Sequence, residues 1–195
     1  MRENSMCDAA LLVIDMQNGF LCEKSPLFID GAPATVAACN AVIAFCRSAA
    51  IPVFFVTRTY TDATVEKSRY HTWQAGGRPL SPDCAPELSV DMPFDVQPGD
   101  YRIQKPRYSA FFATQLDLIL RRLGVRRLIL IGTTTPNCIR TTCYDALSLD
   151  YEVTVLSDCT SSKTAEIQES NLRDMANVGA EIASSETLLQ KLARP

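Results

Sequence analysis

Histidine is nearly missing from this 195-residue chain, with His71 the only one. A metal site built from two histidines is therefore excluded, and so is the His-Glu-x-x-His signature. Any histidine base would have to be His71, which sits in the polar stretch Lys67-Ser68-Arg69-Tyr70-His71-Thr72-Trp73. No Cys-x-x-Cys pair occurs, leaving structural zinc without support. Gly-x-x-x-x-Gly-Lys-Ser/Thr and Gly-x-Gly-x-x-Gly are absent too, and with them the sequence support for a nucleotide. No apolar run approaches the roughly 18 residues that a membrane span needs. Met1-Arg2-Glu3-Asn4-Ser5 opens onto a strand rather than a signal-peptide core. These absences predict a cytoplasmic protein that engages no membrane. A net charge of −3, from 19 basic and 22 acidic residues, gives no electrostatic footprint for nucleic acid.

What is present points to one globular domain over residues 1–195, since 47% hydrophobic and 21% charged residues can build a substantial core. The eight cysteines are expected to be reduced thiols, because the chain is larger than typical disulfide scaffolds and shows no secretion signal. Cys39 and Cys46, seven apart on a predicted helix, should share a buried face.

Periodicity gives an alternation of strand and helix. Strands are predicted near 9–15, 51–57, 100–105, 127–132, 151–156 and 180–183, and helices near 33–49, 111–123, 138–148, 164–178 and 185–192. Such alternation, with helices long enough for right-handed crossovers, predicts an α/β fold: a parallel sheet covered by helices on both faces. Residues 58–99 break the pattern. They are rich in Pro and Gly and lack periodicity, so they are expected to form a long loop or lid over a site rather than a linker.

Three strand ends carry chemistry. Leu128-Ile129-Leu130-Ile131 stops at Gly132, crosses Thr133-Thr134-Thr135-Pro136-Asn137 and delivers Cys138 to a predicted helix start. There, unpaired N–H groups and the positive end of the helix dipole would favour a thiolate and a developing oxyanion. Asp15 is the first charged residue after the apolar run Ala9–Ile14, on the edge where open α/β sheets bind ligands. Lys105 closes a short strand before Pro106 and would be the cation for Cys138 where no histidine is at hand. Each has a plainer reading: a small residue filling a strand-to-helix corner, a turn or capping aspartate, and a solvated strand-end lysine.

Taken together, Asp15 after an apolar strand, Lys105 in Lys-Pro-Arg-Tyr-Ser-Ala-Phe, and Cys138 in Gly-Thr-Thr-Thr-Pro-Asn-Cys-Ile-Arg resemble the isochorismatase-like cysteine hydrolases. That family includes nicotinamidase, N-carbamoylsarcosine amidase, biuret hydrolase and ureidoacrylate amidohydrolase. The resemblance implies a three-layer α-β-α sandwich, Rossmann-like, with a six-stranded parallel sheet and an Asp15-Lys105-Cys138 triad on its C-terminal edge. It implies a non-proline cis peptide at Thr133-Thr134 that turns the N–H groups of Thr134 and Cys138 toward an oxyanion. On this reading the thiolate fraction of Cys138 is raised by Lys105 and the helix terminus, Asp15 shuttles protons, and a small-molecule amide, ureide or carbamoyl compound is cleaved at its C–N bond through a thioester. No cofactor is called for, and a homo-oligomer, dimer or tetramer, is expected.

Departures from the family narrow the substrate. Nicotinamidases usually carry Asp-x-His after the second strand, whereas here the chain reads Thr57-Arg58-Thr59-Tyr60-Thr61-Asp62, so no metal is expected and nicotinamide is a doubtful substrate. Isochorismatases proper cleave a vinyl ether and often replace the nucleophilic cysteine, so Cys138 favours C–N cleavage. Gly19 stands where many relatives have an acid. Phe20 and Trp73 are candidate pocket walls, or else ordinary core. The readings to set against an amidohydrolase are a vinyl ether hydrolase, a catalytically silent binding protein on the same fold, and a redox sensor. The last of these would need a resolving thiol that the spacing does not offer.

Overall fold

The computed structural model describes residues 8–23, 25, 27–58 and 93–192. Six parallel strands form one sheet: β1 (Ala9–Ile14), β2 (Val53–Arg58), β3 (Tyr101–Lys105), β4 (Arg127–Thr133), β5 (Glu152–Ser161) and β6 (Glu181–Ala183). Their order is β3-β2-β1-β4-β5-β6. The described helices are α1 (Asn18–Leu21), α2 (Ala32–Ser48), α3 (Leu116–Arg122), α4 (Arg140–Ser148), α5 (Ala165–Asn177) and α6 (Ser185–Leu192). The expected doubly covered parallel sheet is what the chain forms.

Every residue of β1 is buried, which is why it reads as an unbroken apolar run rather than an alternating one. Its side chains divide between two cores. Leu11 and Val13 pack with Cys39, Val42 and Cys46 of α2 and Leu188 of α6. Ala10, Leu12 and Ile14 pack with Leu116 and Leu120 of α3, Cys143 and Ala146 of α4 and Met175 of α5. Cys22, Cys39, Cys46, Cys138, Cys143 and Cys159 are all free thiols, and all but Cys22 are buried.

Two elements differ from the expectation. α3 begins at Leu116 rather than near 111, because hydroxyls upstream capture the backbone first. Ser109 Oγ accepts from the Phe111 N–H, Thr114 Oγ1 donates to the Ala110 carbonyl, and Ala113 takes a positive φ of 54°. β5 continues past Leu156 to Ser161, although Ser157-Asp158-Cys159-Thr160-Ser161 has no strand periodicity. Its register slips between two pairings with β4, from Leu130↔Val155 to Gly132↔Thr160. The extra residues turn toward β6 and α6, where Ser157 Oγ donates to the Ala183 carbonyl and Asp158 accepts from the Ser185 N–H. An irregularity of this kind re-aims the residues beyond it.

Strand order places the site. From β1 the chain moves outward to β2 and β3, then returns past β1 to β4, so the direction of winding reverses between β1 and β4. At such a reversal the connections leave toward opposite faces and open a crevice at the C-terminal strand ends. Asp15 follows β1 there, and the turn bearing Cys138 follows β4.

Candidate active site

β1 and β4 come together tightly just before they diverge. Ile14 pairs with Gly132, whose φ is 118°, and a Cβ at residue 132 would lie 2.0 Å from the Ile14 carbonyl oxygen. Only glycine allows that approach. Asp15 then takes a positive φ of 53° while its N–H still donates to the Val56 carbonyl at 2.8 Å. The backbone stays fixed to β2 as the carboxylate turns along the sheet edge.

Lys105 ends β3, beyond β2, and its side chain spans the end of the intervening strand. Its ammonium donates to Asp15 Oδ2 at 2.8 Å, to Cys138 Sγ at 3.4 Å and to the Arg107 carbonyl at 3.0 Å. Three contacts use the full donor capacity of an ammonium. Asp15, Lys105 and Cys138 are 0%, 1% and 3% exposed, so residues 90 and 33 positions apart meet where water has little access. The other carboxylate oxygen, Asp15 Oδ1, is buried and, among the described residues, has no hydrogen-bond donor within bonding geometry.

Cys138 lies in a helical first turn that is wider than expected. Residues Thr135–Ile139 form a π-helical turn running directly into α4, and the Ile139 N–H reaches back five residues to the Thr134 carbonyl at 3.2 Å. Pro136 is tolerated in this first turn because its missing N–H would have no intrahelical acceptor there. The Thr133-Thr134 peptide bond is cis. Ser161, aligned with Thr133 across the β4–β5 pair, donates from its hydroxyl to Thr133 Oγ1 at 3.0 Å.

The electrostatics qualify one expectation. Lys105 favours the Cys138 thiolate as expected, yet the net shift is upward and the pKa is pushed up to about 11. Burial is the largest cause and the negative charge of Asp15 the next, and together they outweigh the positive charges of Lys105 and Arg58. The net environment of Cys138 therefore favours the thiol over the thiolate.

Arg58 was not singled out from the sequence, although it ends β2 as Lys105 ends β3 and pairs with Lys105 in register. Its guanidinium is buried and lies over the Tyr108 ring, 4.9 Å from the centroid. Gln17 was missed as well. Its side-chain amide clamps the Arg58 backbone, Oε1 accepting from the N–H at 2.7 Å and Nε2 donating to the carbonyl at 3.3 Å. A charged residue closing an otherwise apolar strand was the available signal for Arg58. Gln17 gave none.

Phe20, a candidate pocket wall, is buried with Ile29 and Ala32 against Leu21 and Leu27, where α1 approaches α2. Trp73 and His71, and most of the expected lid over 58–99, lie outside the described residues. Among the described residues no group of His, Cys, Asp and Glu is placed to hold a metal ion, and no helix is long and apolar enough to cross a membrane.

The Isochorismatase domain family matches residues 9–187. The chain belongs to the isochorismatase family. It is 37% identical over 191 residues to a protein of Arabidopsis thaliana named as a probable inactive nicotinamidase, covering 95% of this chain and 97% of that one. It is 31% identical over 172 residues to the ureidoacrylate amidohydrolase of Variovorax paradoxus, covering 78% of this chain and 68% of that protein. Among solved structures, an isochorismatase family protein from Desulfovibrio vulgaris superposes with a TM-score of 0.83 at 36% identity, covering 96% of this chain and 99% of that one. These relatives support a hydrolase of the isochorismatase family.

Proposed function

We propose that this family member is a cysteine-dependent amidohydrolase that cleaves the C–N bond of a small amide, ureide or carbamoyl compound, with Cys138 as nucleophile, Asp15 as proton shuttle and Lys105 as the cation that holds them together. One observation carries the reading: a single buried ammonium contacts both Asp15 Oδ2 and Cys138 Sγ while Asp15 Oδ1 has no hydrogen-bond donor among the described residues. That oxygen is the base.

The raised thiol pKa decides how the base works. With a pKa of about 11, on the order of one molecule in ten thousand carries a thiolate at neutral pH, so a resting thiolate contributes little. Proton removal accompanies attack. Asp15 Oδ1 takes the thiol proton as sulfur bonds to the carbonyl carbon, and the carbonyl electron pair moves onto oxygen. The N–H groups of Thr134 and Cys138 are the proposed donors to that oxyanion, an arrangement in which one lost donor typically costs about 10²–10³ in rate. Collapse breaks the C–N bond, and Asp15 returns the proton to the departing nitrogen. Asp15 then deprotonates a water that attacks the thioester, and as the C–S bond breaks Asp15 returns that proton to the departing sulfur. Lys105 holds Asp15 in place and stabilises negative charge as it passes to sulfur.

A second reading, a silent binding protein on the same fold, is favoured by the name of the Arabidopsis relative. One experiment separates the two. Ammonia release is measured over ureides, carbamoyl amides and pyridine carboxamides, before and during titration with iodoacetamide. The amidohydrolase releases ammonia from at least one compound and loses that activity in proportion to alkylation of the Cys138 peptide, followed by mass spectrometry as reagent is added beyond what the exposed Cys22 consumes. No release across the panel, or full release from protein alkylated at Cys138, contradicts it.

A further inference from the structure

We infer that Ser161 is a positioning residue, fixing the Thr133–Thr135 turn from the neighbouring strand so that the Thr134 N–H is aimed before substrate arrives. The inference rests on the amidohydrolase reading only in taking that N–H as an oxyanion donor.

The contacts form a small closed circuit. Ser161 Oγ donates to Thr133 Oγ1 at 3.0 Å, and Thr133 Oγ1 donates in turn to the Ser161 carbonyl at 3.5 Å. The same carbonyl accepts from Thr135 Oγ1 at 3.0 Å. Ser161 thus holds the residues on either side of Thr134. On its far side the Thr134 carbonyl accepts from the N–H groups of Asn137 and Ile139 at 3.1 and 3.2 Å, straddling Cys138. Thr133, Thr135 and Ser161 are all buried, so removing the Thr133 hydroxyl would leave Ser161 Oγ without its acceptor, and removing Ser161 Oγ would take from the turn the shorter of the two links between Ser161 and Thr133. The register slip in β5 is what delivers Ser161 to this place. Had the Leu130↔Val155 register continued, Asp158 rather than Ser161 would stand opposite Thr133. Donors held rigid beforehand need no reorganisation when charge develops, which is where such a site gains most.

Acetaldehyde tests the aim of the turn without a known amide substrate. It adds to the Cys138 thiol as a hemithioacetal: the C–S bond forms, the carbonyl pair moves to oxygen, and that oxygen takes the thiol proton. The oxygen then occupies the place of the oxyanion, and the adduct shields Cys138 from iodoacetamide. Ser161→Ala and Thr133→Val should each need about five- to tenfold more acetaldehyde for half protection, the worth of one buried hydrogen bond. The double variant should be little worse than either single one, because both remove the same contact. Thr133→Ser, which keeps the hydroxyl, should match the wild type, and labelling without aldehyde should stay within about twofold in every variant. If Ser161→Ala does not fold, the Thr133→Val and Thr133→Ser pair carries the same contrast. Unchanged protection, additive losses, or a parallel fall in unprotected labelling would each overturn the role of Ser161. A wild-type protein that acetaldehyde does not protect has no aimed oxyanion site, which also overturns it. A protected wild type that hydrolyses no amide overturns the proposed function alone.

Discussion

The two ends of β1 carry the same kind of ion pair with different consequences. Before the strand, Asp8 Oδ1 meets Arg127 at 2.6 Å, with side chains 32% and 27% exposed. After it, Asp15 Oδ2 meets Lys105 at 2.8 Å, with side chains 1% and 0% exposed. The surface pair is the shorter, so distance is not what separates them. Water is. At the N-terminal edge, solvent screens the pair and leaves it worth about 0.2–1 kcal/mol. At the C-terminal edge the same charges act at low dielectric on a third group, and the Asp15 charge helps push the Cys138 thiol up to about 11. A pair of charges becomes chemistry when it is buried with something to polarise.

Breaking that contrast should produce effects of decreasing size. Cys138→Ala should lower amide hydrolysis at least about a thousandfold with the thermal midpoint little changed, since a covalent mechanism has no route around its nucleophile. A variant keeping a tenth of the rate would remove Cys138 from that role. Asp15→Asn keeps the shape but has no basic oxygen, and a loss of about 10²–10⁴ in kcat is expected for removing a general base. Ammonia release near the wild-type rate would mean that the proton goes elsewhere. Lys105→Met leaves the Asp15 charge buried without its partner, a change that typically costs about 3–5 kcal/mol. It also removes a charge that lowers the Cys138 pKa, so the alkaline onset of iodoacetamide labelling should move upward. A labelling profile identical to wild type would show that Lys105 does not act on the sulfur. Asp8→Asn, at the exposed end, should change stability by less than about 1 kcal/mol and leave hydrolysis unaltered. A tenfold loss of rate there would show that the two edges are not independent.

The sequence carried the layout of the sheet because its central strands, β1, β2 and β4, are buried on both faces and stop at or near charged or glycine residues. Asp15 and Cys138 were legible because each follows an apolar run against which a charge or thiol stands out, whereas Lys105 closes a short alternating strand and was marked mainly by Pro106 after it. Less was visible where structure depends on pairing rather than pattern. Ser161 lies in a stretch with no periodicity and reaches Thr133 only through a register slip in the β4–β5 ladder. Gln17 acts through its contact with the Arg58 backbone, a hydrogen bond across 41 residues that no local spacing encodes. The direction in which Lys105 acts on Cys138 was legible, but the net shift was not, because residue types announce charges and not burial, and burial is the largest cause.

The most direct test is the pH dependence of Cys138 labelling by iodoacetamide, followed on its own peptide by mass spectrometry, in wild type and Asp15→Asn. Asp15 raises the thiol pKa, so removing its charge must lower it, leaving burial as the main effect that opposes Lys105. The wild type should show a midpoint near 11, and Asp15→Asn a distinctly lower one, labelling faster at neutral pH even as it loses hydrolysis. A midpoint in Asp15→Asn equal to or above that of the wild type would contradict the account.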